Sequence, residues 1–374
     1  MKETLRTGVV GCGAVGHFHA KAYQELCASE FVGVYDKHYE AAKAFAAQYG
    51  VKAFRSIEQM KAETGVEGLS ICTPHPAHAE AAVAAANLGI HLLIEKPLAD
   101  SIKACDTILN AAHANHVLTS TVCQRRFFPP CLRVKRAIDS GKIGNPVLGT
   151  VTMLGWRDKK YYDSAAWRGT WDGEGGGVLI NQAPHQLDLL LWYMGEVEEV
   201  YGQWRNFNHP YIEVEDTSVA IIKFKNGALG NIVVTNSANP AQYGNVHVLG
   251  SNGACIGVQT DGGAMFIAGQ SSITEPPKND VWTIAGESSS LAIWEAEDLA
   301  FFRSIDATTY YHKVQIDDFL SSILQGRQPM IDGLAGRRTV ELFTAIYRST
   351  RDNRPIKFPL SADEDSNDYD GRKR

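Results

Sequence analysis

An α/β domain on a parallel sheet, followed by an α+β domain with a mostly antiparallel sheet, is the fold class this sequence predicts. Three observations predict it. A glycine turn, Gly11-Cys12-Gly13-Ala14-Val15-Gly16, stands between an apolar run and a helical segment. Residues 1–122 alternate short strand and helix patterns, as a sheet built from βαβ units requires. After Gln124 the strand patterns lengthen and lose their intervening helices, which is an antiparallel rhythm.

The first stretch justifies itself residue by residue. Gly8-Val9-Val10 reads as a strand, Ala14–Cys27 as a helix, and Phe31–Tyr35 as a second strand ending on Asp36. Gly11 allows the tight turn, Gly13 lets backbone approach a pyrophosphate, and Gly16 lets helix and strand pack closely. The loop backbone of Gly11, Cys12, Gly13, Ala14 and Val15 would face that pyrophosphate at the helix N-terminus, where free N–H groups favour an anion. Asp36 lies 25 residues past Gly11, close to the ~20-residue spacing of a carboxylate that binds the adenosine ribose. This is the pattern of a Rossmann domain, and the alternative is a βα turn with no ligand. Asp36 argues for NAD over NADP, because a carboxylate repels a 2′-phosphate, although the neighbouring Lys37 could accept one. Cys12 reads as a small filler, with a nucleophile as the other reading.

Further βα units follow. Helices are expected over Glu40–Tyr49, over a segment to Glu63 that Ser56 caps, over Ala77–Leu88 with Gly89 behind it, and over Ser101–Ala114. Strands are expected at Gly68–Cys72, His91–Ile94 and Val117–Thr121. Ligands of such sheets bind beyond the carboxyl ends of the strands. Thr73-Pro74-His75 and Glu95-Lys96-Pro97 lie at two of those ends. In the second half, helices are expected at Pro129–Ser140, Gly177–Met194, Gln315–Gln325 and Leu334–Arg351. Strands are expected at Val147–Leu154, Val197–Trp204, Thr217–Phe224, Ala228–Thr235 and Asn245–Gly250. The implied division is 1–123, 124–361, and a charged tail, 362–374, expected to be disordered.

Composition narrows the partners. A net charge of −6 argues against nucleic acid, and the apolar runs are too short for a bilayer. The N-terminus shows no signal-peptide core, and seven cysteines without a C-x-x-C pair read as reduced thiols of a cytoplasmic protein. Histidines 17, 19, 75 and 78 do not make a metal site by spacing. His78 is expected to touch the cofactor and the others to lie on helix surfaces.

Taken together, the glycine loop, Thr73-Pro74 with His78, Glu95-Lys96-Pro97, Asn181-Gln182-Ala183-Pro184-His185-Gln186-Leu187-Asp188, Gly326-Arg327-Gln328-Pro329 and Asp332-Gly333 resemble the glucose-fructose oxidoreductase, inositol dehydrogenase and rhizopine-catabolism (Gfo/Idh/MocA) family. The resemblance spans residues 5–360. It implies an N-terminal dinucleotide domain and a C-terminal α+β domain with a large, open sheet through which subunits pair, as a homodimer or homotetramer. It also implies hydride transfer between NAD and a secondary hydroxyl of a sugar, glycoside or cyclitol, with the C3 hydroxyl favoured for pyranoses. Two rivals are a lyase or glycosidase that cycles on a retained NAD, and a non-catalytic NAD-binding regulator; the pairing of Lys96 with His185 argues against the regulator.

By the same resemblance, Lys96 reaches the nicotinamide ribose and the reacting hydroxyl, where an ammonium would stabilise an alkoxide-like oxygen. Its alternative is a surface ion pair with Glu95. Proline at 97 lowers the penalty for a cis Lys96–Pro97 bond. His185 is the candidate general base, the alternative being a buried structural histidine. Asn181, His185 and Asp188 stand at i, i+4 and i+7, on one helical face. Pro184 either kinks that helix or sits in its first turn, with Asn181 as its N-cap. Asn181 and Ala183 stand where many members carry aspartate and glycine, and an amide cannot stabilise an imidazolium as a carboxylate does. Trp156, Arg157, Trp167 and Arg168 belong to a tryptophan-dense loop suited either to a pyranose or to packing on its own domain or a second subunit. Arg126, by resemblance, faces the active-site cleft, with a structural ion pair as the alternative.

Overall fold

The computed structural model describes residues 3–261 and 275–361, so the tail reading over 362–374 lies outside the described residues. The chain forms two compact units. The first comprises Met1–Gln124 with Thr309–Val340, the second Arg125–Thr308 with Glu341–Arg374.

In the first unit six strands run β1 (Leu5–Val10), β2 (Ser29–Tyr35), β3 (Lys52–Phe54), β4 (Gly68–Ile71), β5 (His91–Ile94) and β6 (Thr119–Thr121). They pair in the order β3-β2-β1-β4-β5-β6, all parallel, the doubly wound arrangement that places a ligand crevice between β1 and β4. β4 is buried on both faces, as a central parallel strand must be. Helices α1 (Ala14–Glu25), α2 (Tyr39–Tyr49), α3 (Ile57–Thr64), α4 (His78–Asn87) and α5 (Ile102–Ala114) connect the strands. Ser56 and Ser101 accept the N–H of Gln59 and Ala104, capping α3 and α5.

Residues 309–340 join this unit, whereas the strand rhythm grouped them with everything after 124. The helix Ala307–Gln325 buries Phe319 and Leu320 in one core with Val9, Val34, Phe45 and Leu93. Its Gln315 accepts the Cys123 N–H at 3.0 Å and donates to the Thr121 carbonyl at 2.7 Å. Helical periodicity shows that a face is buried, not against what.

The second unit holds a seven-stranded mixed sheet. Its strands are β7 (Pro146–Leu154), β8 (Val197–Arg205), β9 (Thr217–Phe224), β10 (Leu229–Thr235), β11 (Gly244–Gly250), β12 (Cys255–Asp261) and β13 (Ile356–Lys357). The order is β12-β11-β7-β10-β9-β8-β13, antiparallel except for the β7–β10 pair. Helices α6 (Pro129–Asp139), α7 (Lys159–Tyr162), α8 (Trp171–Glu174), α9 (Val178–Asn181) and α10 (Pro184–Met194) follow. The single helix expected over 177–194 is thus two pieces. Pro184, at the first position of α10, has no N–H to continue the ladder. Gly149 on β7 lets α10 pack closely, since a Cβ there would meet Leu190 and Met194 at 2.7 Å. Tyr201, Val219, Ile221 and Leu229 are exposed on their strands, Ile221 by 63%. β3, β12, β13, the one-turn helices α7 and α8, and the helix Ser290–Arg303 had no expectation from the sequence. Among the described residues no helix is long and apolar enough to cross a membrane.

Candidate active site

Register aligns the site in the first unit. Val10 pairs with Tyr35 and Ile71, and Ile71 with Ile94. The residues just beyond, Gly11, Asp36, Cys72-Thr73 and Glu95-Lys96, therefore line one edge of the sheet. Gly11 has φ +97°, and a Cβ there would lie 2.6 Å from the Cys72 carbonyl. At Gly16 a Cβ would lie 2.4 Å from the Gly11 oxygen, while at Gly13 it would meet nothing within 4 Å. Gly13 is also the N-cap of α1, with no side-chain cap and no acidic residue in the first turn. Open space thus lies over a helix N-terminus whose N–H groups have no side-chain acceptor. The buried Thr73 Oγ1 at the end of β4 has no hydrogen-bond partner. These features fit a dinucleotide pyrophosphate.

Asp36 is partly buried. One oxygen accepts the Cys12 N–H at 2.9 Å and the other the His38 N–H at 2.8 Å, which fixes the carboxylate beside the glycine turn. Lys37 is exposed. Burial, then the charge of Asp36, pushes the Cys12 thiol up to about 12, so it is no nucleophile at neutral pH.

Two histidine readings need correction. His78 is fully buried rather than facing a ligand, with its ring nitrogens 3.0 Å from the Pro97 carbonyl and 2.8 Å from the Thr73 carbonyl. It ties together the two loops that carry Thr73 and Lys96, and burial lowers its pKa. His19, expected on a helix surface, has no exposed surface at all and lies 3.0 Å from Glu95. Both face inward because helix α1 and the start of α4 pack on a sheet covered on both sides. Glu95 is itself buried, and its second oxygen accepts the Lys96 backbone N–H at 3.1 Å. Lys96 is partly exposed, and the Lys96–Pro97 bond is cis.

In the second unit His185 occupies the first turn of α10 and is 7% exposed. Asn181 ends α9 and does not cap α10, whose N-cap is Ala183. Its amide donates to Glu174 and, at 3.0 Å, to the Tyr161 hydroxyl. Glu174 is buried and also accepts the Gly169 N–H at 2.6 Å. Tyr161 is a hub, since Gln182 at 3.1 Å and Arg168 at 2.5 Å donate to the same hydroxyl. The Arg157 and Arg168 guanidiniums lie over its ring, 4.8 and 4.3 Å from the centroid, and Arg168 also covers Trp167 at 4.5 Å. Arg157 is buried, while Trp156, Trp167 and Arg168 keep partial exposure.

Arg126 does not face open space. It makes a bidentate pair with Asp188, at 2.8 and 2.6 Å, and both side chains are buried. The structural ion pair is the arrangement present, because neither charge is tolerated buried alone. Asp188 is thereby committed to Arg126.

Profile comparison settles the family. Residues 5–122 match an oxidoreductase family with an NAD-binding Rossmann fold, and residues 131–256 match the GFO/IDH/MocA C-terminal domain. The chain belongs to the Gfo/Idh/MocA oxidoreductase family. Like other members it is an NAD-binding enzyme with a Rossmann domain. Among solved structures, the WlbA dehydrogenase from Bordetella pertussis, in complex with NADH and UDP-GlcNAcA, is 30% identical with a TM-score of 0.84, covering 96% of this chain and 99% of that one. Inositol 2-dehydrogenase of Rhizobium meliloti is 25% identical over 94% of this chain and 99% of its own. UDP-N-acetylglucosamine 3-dehydrogenase of Acidithiobacillus ferrooxidans is 34% identical, over 36% of this chain and 41% of its own.

Sequence reading missed His19, Ser70 and Glu174 as members of these sites, and placed Tyr161 only in the aromatic loop, not at its centre. His19 and Ser70 carry no local signature, and Glu174 and Tyr161 meet Asn181 only through folding. The density of aromatic and charged residues around Tyr161 was the one available signal.

Proposed function

We propose that this family member oxidises a secondary hydroxyl of a pyranose, at C3, and that the pyranose is carried on a nucleotide. The observation that carries the reading is Lys96 at the carboxyl edge of the parallel sheet, two strands from the glycine turn, on a peptide that Glu95 anchors. When bound, NAD supplies the hydride acceptor. Gly11–Val15 and the N-terminus of α1 hold its pyrophosphate, and Asp36 its adenosine ribose. Lys96 steadies the carbinol oxygen as negative charge develops, and His185 removes the hydroxyl proton. Oxidation of the alcohol to a ketone would release one proton with two electrons as hydride, which bound NAD would accept, and the hydroxyl proton, which His185 would pass to solvent. Trp156, Trp167 and Arg168, with exposed surface around Tyr161, are the proposed sugar contacts.

The nucleotide-sugar reading rests on WlbA, solved with UDP-GlcNAcA, and on the UDP-N-acetylglucosamine 3-dehydrogenase. A cyclitol is the second reading, favoured by the near full-length match to inositol 2-dehydrogenase. Subunits would pair as a homodimer or homotetramer through the sheet face bearing Val219, Ile221 and Leu229, since exposed apolar residues on neighbouring strands invite a second copy. The test is a panel of UDP-hexosaminuronates, UDP-hexosamines, free sugars and inositols with NAD, followed as NADH absorbance. Turnover of a UDP-sugar supports the first reading. Turnover of inositols alone selects the second, and no turnover of any compound rejects both.

A further inference from the structure

Helix α1 begins at the glycine turn and carries a histidine that the hydride chemistry leaves without a task. His19 has no exposed surface. Its Nδ1 lies 2.8 Å from Ser70 Oγ on β4, and that oxygen lies 2.7 Å from the hydroxyl of Tyr23, one helical turn further along α1. On its other side, Nε2 lies 3.0 Å from Glu95 Oε1. A carboxylate only accepts, so Nε2 carries the hydrogen whether the ring is neutral or charged. The second Glu95 oxygen accepts the Lys96 backbone N–H at 3.1 Å. One continuous hydrogen-bonded chain therefore runs Tyr23–Ser70–His19–Glu95–Lys96, from the pyrophosphate-binding helix to the peptide of the proposed catalytic lysine.

A buried carboxylate is expensive unless charge and hydrogen bonds compensate it. The titratable groups facing Glu95 are His19 from α1, Cys72 after β4, His78 from α4, Lys96 beside it, and His312 of the helix Ala307–Gln325, whose Nε2 is 4.0 Å away. Among the described residues, His19 donates to it from a side chain at hydrogen-bond distance. Burial raises the Glu95 pKa. The His19 hydrogen bond and charge, with His312 and Lys96 behind them, more than reverse this and bring it down to about 2. The carboxylate is therefore ionised throughout the working pH range.

We infer that His19 is a positioning residue for Lys96: by holding the Glu95 carboxylate, it fixes the Lys96 peptide and keeps an anion beside the ammonium. The inference rests on Lys96 acting at the carbinol oxygen. Without the His19 donor, burial dominates Glu95, and the side chain takes up a proton near neutral pH. Lys96 then loses both the anion and the ionised acceptor of its N–H.

The test compares wild type with His19→Leu, His19→Gln and Ser70→Ala. A glutamine amide places a donor near the position of Nε2, so it should restore what leucine removes. Three quantities are read: kcat against pH, the Kd for NAD by titration, and thermal stability against pH. In His19→Leu, kcat is expected to fall roughly tenfold or more and to gain an acid limb between about pH 5 and 8, with the Kd for NAD nearly unchanged. Stability should fall as pH rises through that limb, since a carboxyl group with a raised folded-state pKa favours the folded state when protonated. His19→Gln should remove the limb and recover most of kcat. Ser70→Ala, a small change suited to folding, should show a weaker form of the leucine phenotype. Wild-type kcat–pH behaviour in His19→Leu, or in Ser70→Ala if the leucine variant does not fold, overturns the inference. So does a loss that glutamine fails to rescue. If wild type oxidises no sugar or cyclitol, the functional reading fails instead, and the stability–pH slope still reads the coupling of His19 to Glu95.

Discussion

Replacing Asn181 by aspartate would set two carboxylates against each other. From the sequence alone this change restores the commoner family residue one turn before His185, and is expected to move the kcat/KM profile to higher pH. The structure changes that expectation, because the buried Glu174 already stands against the Asn181 amide and accepts its hydrogen. Aspartate removes a hydrogen bond to a charged group, worth roughly 1.5–3 kcal/mol. It also adds a like charge, and two such charges ~4 Å apart repel by about 4 kcal/mol at an effective dielectric of ~20. The pair avoids part of this by retaining a proton, and each unit of raised pKa corresponds to about 1.4 kcal/mol. A rise of about three units still leaves the pair ionised at pH 8, where the two effects sum to about 5–7 kcal/mol. A retained proton means a folded-state pKa above the unfolded value, so the loss is small near pH 5 and grows as pH rises. Thermal unfolding at the two pH values reads this directly. With about 2–4 °C per kcal/mol for domains of this size, the variant should melt roughly 10–30 °C below wild type at pH 8 and much closer to it at pH 5. Equal melting of the two proteins at both pH values, with the kcat/KM limb moved upward, would refute the reasoning and return the aspartate to His185.

Four further outcomes follow from the same geometry. Asp36→Ala should lower kcat/KM with NAD far more than with NADP, and equal losses would show that Asp36 only braces the glycine turn. Arg126→Ala, which strands the buried Asp188, should cost roughly 3–5 kcal/mol of stability with KM for the sugar unchanged in the folded enzyme; a raised KM at wild-type stability would return Arg126 to the substrate. Glu215 is pushed up to about 7 by burial, against the Leu179 and Gly177 N–H groups and the Tyr347 hydroxyl that hold it down. Its contribution to stability is present below the unfolded carboxyl range and lost as pH rises through 7, about 3 kcal/mol in all; Glu215→Gln should flatten the urea-unfolding slope between pH 5 and 8. Lys96→Ala should lower kcat roughly 10²–10⁴-fold with NAD still bound in titration calorimetry.

Much of the fold was legible because local signals and global fold agree. The glycine turn, the serine caps at 56 and 101, and the strand-end pairs Thr73-Pro74 and Glu95-Lys96 are all set by neighbours in sequence. What was not legible depends on contacts distant in the chain. The helix carrying Phe319 reads as amphipathic, but nothing local says that it completes the first unit. His19 and His78 look like any helical histidines until the sheet buries them. Asn181 looked like a lost carboxylate, and only the folded chain shows Glu174 at its amide. The Arg126–Asp188 pair hid for the same reason, since its partners are separated by a strand and several helices.

Hydrogen tracing tests the central claim most directly. The enzyme is incubated with NAD and its best UDP-sugar or cyclitol, deuterated at the carbon that bears the oxidised hydroxyl, and the reduced cofactor is analysed by mass spectrometry. The account predicts one deuterium in the nicotinamide of NADH, none acquired from deuterated solvent with unlabelled substrate, and loss of the signal in Lys96→Ala and His185→Ala. NADH without substrate deuterium, or undiminished transfer in both variants, would contradict it.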